Sequence, residues 1–315
     1  LAKECIMSRC STWWTTILAA LLVLATSNTQ GVAQEELEFI PAEQAAEGDT
    51  ENVRTLDIIR ERYPDGSVKI EREVTQDAKE NYINHGKWKM YNQRGTVLAE
   101  GQYVNDQRDG TWVRFYRGDE SKLFSEMPYK QFKGPFVSQA TFKEGKLDGT
   151  WKIYDSTQHK ISEFSMADGL RDGKSTWWFA NGEKMREIDY KEGLIDGQLV
   201  EWAPDKRVVT NSTYQEGRKL AAKVSKYKSG AVETEGMYLH AKLVLETPDN
   251  WWDATVAVSV ATGHDERHGP WKSWHPNGQE HVSGQYEHDI PVGTFTWWYQ
   301  TGQKHLVGTH EEDKR

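Results

Sequence analysis

The chain has 315 residues, a formal net charge of −9 and 37% hydrophobic residues. The acidic balance, with no basic stripe, excludes a nucleic-acid partner held by phosphate neutralisation and disfavours adsorption to an anionic membrane. Yet 14 Trp, 13 Tyr and 9 Phe are too many aromatics for a disordered acidic chain. Large rings carry the packing that aliphatic side chains normally carry.

Met7-Ser8-Arg9 gives a short basic start, Thr15 to Ala25 a compact apolar run, and Gly31-Val32-Ala33-Gln34 a small-residue end. This is the layout of a signal peptide over residues 1–34, with 1–6 as an upstream extension. The apolar run is short of the roughly 20 residues that span a bilayer. The expectation is therefore an exported chain, periplasmic or extracellular, with no stable membrane insertion after cleavage; an uncleaved anchor is the minor alternative. Cys5 and Cys10 both lie in the removed part, which leaves the mature chain no disulfide, thiol nucleophile or cysteine metal site. Residues 35–54 read as an acidic flexible leader.

From about residue 55 the pattern changes. Val68, Ile70 and Val74 follow Tyr63-Pro64-Asp65-Gly66-Ser67 at even spacing, which reads as a hairpin and a degenerate first repeat. Gly86, Trp88, Tyr91, Gly95, Gly101 and Tyr103 then form a full unit ending at Gly110. Gly110 with Trp112 opens the next unit, and Gly149 with Trp151 opens another. Gly173, with Trp178, Asn181 and Gly182, leads to Gly197. The cleanest copy runs from Gly269 through Trp271, Trp274, Asn277, Gly278, Gly284 and Tyr286 to Gly293, a period of 24 residues (293 minus 269). Between Gly110 and Gly149 the frame is damaged: Gly134-Pro135-Phe136 fits it, but Gly149 follows too soon, as if a hairpin tip had been shortened. Residues 239–263 are irregular and read as a longer hairpin with Trp251-Trp252 in its loop. A charged tail occupies 310–315.

Repeats at such a period predict an all-β chain. The expected fold is an elongated array of antiparallel β-hairpins over 55–309, forming one continuous twisted sheet with a local, quasi-one-dimensional core. Asn-Gly and Asp-Gly suit two-residue turns in which both positions have positive φ. The unit-opening glycines fall where one hairpin hands over to the next, and Asp109, Asp148, Asp172 and Asp196 before them read as turn formers. Trp88 and Tyr91 are three apart, so either both faces carry aromatics or the strand bulges between them.

The pattern Gly, x, Trp, two residues, aromatic, Asn-Gly, Gly-x-Tyr, Gly resembles MORN repeats, in the longer variant common in bacterial proteins. Gly173 to Tyr190 departs from it, with Ser175 where Trp is expected and Ile188 where Gly is. The resemblance implies a scaffold for protein–protein contact, linked in some eukaryotic cases to lipid or membrane association. Related bacterial sequences are labelled YwqK-type antitoxins, a cytoplasmic role that sits poorly with a secretory signal.

No catalytic, metal or cofactor site emerges. His264-Asp265-Glu266-Arg267-His268 has suggestive spacing, but without a helix the two imidazoles do not share a face. It reads as a solvated loop. The pairs Trp177-Trp178, Trp251-Trp252 and Trp297-Trp298 matter more: on a strand each should place one ring in the core and one on the surface, where it can bind a protein or stack on a sugar. The function expected is a non-catalytic exported scaffold that binds another protein. Binding of cell-wall glycan through exposed aromatics, and toxin neutralisation, are the alternatives.

Overall fold

The computed structural model describes residues 56–117 and 119–311. The signal-peptide and leader assignments over 1–54, and most of the charged tail, lie outside them. The strands begin with β1 (Asp57–Arg62), β2 (Val68–Gln76), β3 (Tyr82–Tyr91), β4 (Val97–Val104), β5 (Gln107–Tyr116), β6 (Phe136–Lys143) and β7 (Lys146–Tyr154). They continue with β8 (Lys160–Ala167), β9 (Leu170–Trp178), β10 (Lys184–Lys191), β11 (Leu194–Trp202), β12 (Val208–Gln215), β13 (Arg218–Lys226) and β14 (Val232–Leu239). The last are β15 (Lys242–Thr247), β16 (Val258–Thr262), β17 (Glu266–Trp274), β18 (Glu280–Glu287), β19 (Ile290–Trp298) and β20 (Lys304–His310). Each of β1 to β13 pairs antiparallel with its successor, β14 skips to β17, and the series resumes to β20, which makes an 18-stranded meander. β15 and β16 form a separate two-stranded sheet.

Two kinds of turn alternate along the chain. Two-residue turns such as Glu192-Gly193 (φ 49° and 81°) and Asn105-Asp106 (φ 50° and 64°) have positive φ at both positions, as the twist of a tight hairpin requires. The Asn-Gly and Asp-Gly sites are not of this kind. At His275–Gln279, His275 N–H donates to the Gln279 carbonyl at 2.7 Å and Gly278 N–H to the His275 carbonyl at 2.8 Å. Only Gly278 has positive φ (84°), and Asn277 Oδ1 accepts from Gln279 N–H at 3.1 Å. This is a type I turn closed by a glycine bulge, one residue longer than the sequence pattern implies.

The unit-opening glycines are also displaced from where the pattern puts them. They and the aspartates before them lie inside strands, not at turns. Gly236 pairs with Trp271, yet Tyr238 pairs with Arg267, so four steps along β17 match two along β14. Gly269 (φ 87°) sits in the resulting bulge. The same slip surrounds Gly149, Gly173 and Gly197. A second register shift lies between Met90 and Tyr91, and another between Ser273 and Trp274, which answers how Trp88 and Tyr91, three apart, fit one strand.

Two insertions break the meander. Gly110 pairs with Phe142, so residues 110–149 are a single unit whose tip has been lengthened, not shortened. The connection 117–135 contains short 3-10 turns at Lys122–Ser125 and Tyr129–Gln131. The other insertion is the β15–β16 hairpin, whose loop 248–257 reaches back over strands more than a hundred residues upstream. That loop also takes up Ala254 to Ala257, and β16 begins only at Val258. The core is accordingly not purely local: Trp251 and Ala254 are buried in the same cluster as Trp112, Trp151 and Phe164.

Candidate functional site

One face of the sheet is built by a repeated cross-strand fit. Trp112 lies over Gly101, Trp271 over Gly236 and Phe295 over Gly284; a Cβ on any of these glycines would come within 2.2 to 2.3 Å of the ring. A ring can lie flat on a neighbouring strand only where that strand has no side chain. Where the glycine is missing, the pair is filled in other ways. Ala140 pairs with Trp151, Phe164 with Ser175, and Ile188 with Leu199. Ser175, which looks like a lapse in the repeat, is the small member of a pair whose ring stands on the other strand, and Ile188 faces an aliphatic side chain of similar size.

The rings of this face continue from strand to strand. Trp88, Tyr103 and Trp112 lie 5.0 to 6.4 Å apart, and Trp151, Phe164 and Trp177 follow at 4.9 and 5.4 Å. At the other end, Trp271, Tyr286, Phe295 and Trp297 form a second series at 5.3 to 5.8 Å. Edge-to-face geometry predominates, as ring quadrupoles favour.

The two insertions cover the first series. Trp251 packs edge-on against Phe142 (5.4 Å) and Trp112 (6.1 Å), and Trp252 against Trp88 (6.1 Å). The Arg114 guanidinium sits 4.0 Å from the Trp252 ring centre and donates to the Trp252 carbonyl. Ser121 Oγ of the first insertion donates to the Ala254 carbonyl of the second at 3.0 Å. Tyr129 is fully covered and its hydroxyl donates to Ser162 Oγ at 2.9 Å; burial pushes its pKa up to about 12. Arg171 forms a two-point ion pair with Asp249 of the 248–257 loop, which acts as a strap across the sheet, Nε–Oδ2 2.8 Å and Nη2–Oδ1 2.9 Å. Burial works against the charge of Arg171, but the Asp249 carboxylate holds its pKa above the ordinary value.

The tryptophan pairs occupy different settings. Trp177 is buried beside Phe164, while Trp178 is half-buried with Lys160 Nζ 4.3 Å from its ring centre. Trp251 of the strap is buried against the sheet and Trp252 half-buried at the strap's margin. Trp297 and Trp298 are both half-buried, Trp297 beside Phe295 and Trp298 offering its carbonyl to the His275 ring, 3.0 Å away. No ring of the six is fully exposed. The strap and its docking onto β5, β6 and β9 escape sequence reasoning; Asp249 and Arg171 carry no motif that links them.

Charged chemistry at 264–268 serves the junction around the inserted hairpin. His288 Nδ1 lies 2.9 Å from Glu266 Oε2, Arg218 Nη2 2.7 Å from Glu266 Oε1, and Arg267 Nε 2.8 Å from Asp289 Oδ1. His264 and His268 are thus joint residues in a strand and its approach. Among the described residues no group of three or more His, Cys, Asp or Glu could hold a metal ion, and no helix is long and apolar enough to cross a membrane.

Comparison with solved structures returns low-identity matches. One is a crystal structure of a TcdB2–TccC3–Cdc42 assembly and another a mutant Tc holotoxin pore from Photorhabdus luminescens. Both are 10% identical, with TM-score 0.13, which carries no structural argument. The matches cover 79% and 80% of this chain but only 16% of each of theirs. A search of curated proteins found no match. The family model described as MORN repeat variant matches residues 84–105, 171–192 and 267–288. Each match takes in one glycine-bulged strand, its turn and its return strand, the geometry the other units repeat: the chain carries MORN-variant repeats at these three segments.

Proposed function

We propose that the chain is a non-catalytic, exported scaffold that binds another protein on its aromatic face, at the series of rings formed by Trp271, Tyr286 and Trp297. One observation carries the reading. The same face, further up the sheet, already accepts a peptide segment: the strap seats two tryptophans and an aspartate on it. The rings of β17 to β19 are half-buried at Trp271, Tyr286 and Trp297. They extend a surface whose affinity for polypeptide the chain itself exhibits. A protein partner fits better than a glycan, because Trp271 with Tyr286 and Tyr286 with Phe295 meet edge-on and break the broad flat surface a sugar would need. The histidine–carboxylate pairs are spent on the joints of the inserted hairpin, which supports a role without catalysis. Export rests on the sequence pattern over 1–34.

Affinity capture from envelope extract with the mature chain tests the reading, with Trp297→Asp as the matched control. A reproducible partner lost in the variant is the expected result. The same proteins recovered by both chains, or none by the wild type, would count against it.

A further inference from the structure

Three arginines occupy one repeat position, two residues before the bulge glycine, with the guanidinium on the aromatic face: Arg108, Arg171 and Arg267. In each, the main-chain carbonyl accepts from the second residue of the next tight turn, which is Gly145, Gly193 and Asp289 respectively. Arg267 takes its carboxylate from that turn residue, Asp289, at 2.8 Å. The turn after Arg171 has glycine there, and Arg171 takes its carboxylate from Asp249 of the strap. Asp106, at the same turn position earlier in the chain, likewise accepts from Asn84 Nδ2 at 2.8 Å. Where the position carries Arg or Asn it takes an acceptor, supplied locally or from a distance; at Leu147, Ile195 and Pro291 it is apolar.

Arg108 has neither source. Its turn carries Gly145, and the strap offers it rings in place of an acid. The guanidinium carbon lies 5.1 Å from the ring centre of Trp112, 5.2 Å from Trp252, 5.4 Å from Phe142 and 5.5 Å from Trp251. Among the described residues no carboxylate pairs with it and its side-chain donors make no hydrogen bond. The residue is half-buried, so part of it is open to solvent. Aromatic rings engage the face of a guanidinium, whereas a carboxylate bonds to its edge in the plane of the fork. The two modes are compatible, and the rings exclude water that would otherwise compete for the edge.

We propose that Arg108, within its ring of Trp112, Phe142, Trp251 and Trp252, is a binding site for an aspartate or glutamate side chain of the protein partner. The proposal rests on the scaffold reading for the source of the carboxylate, and on the geometry alone for the carboxylate itself. It places a second point of contact at the strap's margin, on the same face as the rings of β17 to β19.

The test has two arms on the mature chain. In the first, the Nε–H signal of Arg108, assigned through Arg108→Lys, is followed while N-acetylglutamate methylamide is added, with the glutamine analogue as control. A saturable shift at Arg108 and at the indoles of Trp112 and Trp251, about fivefold weaker or more with the glutamine probe, is expected for a charge-assisted contact. Equal response to both probes, or no response, overturns the site. In the second arm, capped peptides of mixed composition are arrayed and probed with wild type and Arg108→Gln. Enrichment of acidic peptides and about a tenfold loss in the variant are expected. Should Arg108→Gln melt early, Arg108→Lys, which keeps the charge and loses the two-point fork, takes its place with a smaller loss expected. Peptide binders without acidic enrichment would leave the scaffold reading standing and overturn this site. A glutamate probe seated at Arg108 with a blank array would do the reverse, keeping the carboxylate site and removing the protein partner.

Discussion

Arg171 and Asp249, 78 residues apart in the chain, meet in a two-point ion pair with each side chain only 3% exposed. Asp249 Oδ1 also accepts from Ala257 N–H at 2.8 Å, so one carboxylate both closes the strap loop and fastens it to β9. Removing one member leaves a buried charge without its partner, which costs about 3–5 kcal/mol. Asp249→Ala is expected to lower the stability of the array by that order in urea unfolding. A loss under about 1 kcal/mol would mean that the strap is not anchored here.

Trp251 tests whether the array behaves as a string of independent neighbours. Trp251→Ala empties the space over Trp112 and Phe142 and should cost about 3–5 kcal/mol. Amide exchange should rise in β5 and β6, far from the substitution in sequence, as well as in residues 240–263. If only the inserted hairpin loses protection, the strap is a passenger and the sheet is held by adjacent hairpins alone.

The pairing of Phe164 with Ser175 predicts a compensated swap. Phe164→Gly alone should cost about 3–5 kcal/mol through the cavity it leaves. Ser175→Trp alone should cost about 1–3 kcal/mol by overpacking. Together they recreate the arrangement of Gly236 with Trp271, and Ser175 Oγ, buried without a partner, loses nothing by its removal. The double variant is expected to be at least about 1 kcal/mol more stable than the sum of the two losses. Simple additivity would show that the reciprocal sizes are unrelated.

Acid should loosen the junction of the inserted hairpin before the rest. A hydrogen bond from His288 holds the pKa of Glu266 below the ordinary carboxylate range. Burial works against the charges of Asp265 and Asp289, but hydrogen bonds from His240 and Arg267 outweigh it and lower both pKa values. For carboxyls lowered in the fold, the stabilisation is complete above their unfolded pKa, about 4, and is lost as pH falls through the folded values. Exchange protection over residues 239–266, corrected for intrinsic rates, should fall from about pH 4 downward while the strands around Trp151 stay closed. Uniform loss along the chain, or none at pH 3, would contradict this.

The hairpin array is legible because glycine and aromatic side chains recur at positions a sheet uses identically each time. The bulges are half legible: the three-residue spacing of Trp88 and Tyr91 allows one as one of two readings, but Gly269 looks like a turn glycine until the register with β14 is known. Asn277-Gly278 misleads for a related reason. The dipeptide suits two turns, and the hydrogen bonds from His275 to Gln279 decide between them. Ser175 was visible as a departure, yet its compensation by Phe164 needs the strand pairing. Least legible is the strap: Asp249, Trp251 and Trp252 act on residues at no fixed spacing, so periodicity carries no trace of them. Arg108 shares that obscurity, since only comparison of three equivalent arginines in space singles it out.

The strap also sets an order in time. β5 to β9 leave the ribosome before Asp249 and Trp251 exist, so the sheet face is finished before its cover. At about 5–20 residues per second, the 78 residues from Arg171 to Asp249 take roughly 4 to 16 s. Throughout that interval Trp112, Trp151, Phe164 and Trp177 present an open aromatic surface on a growing chain, one that a holding chaperone could recognise. Emergence of the strap closes that window.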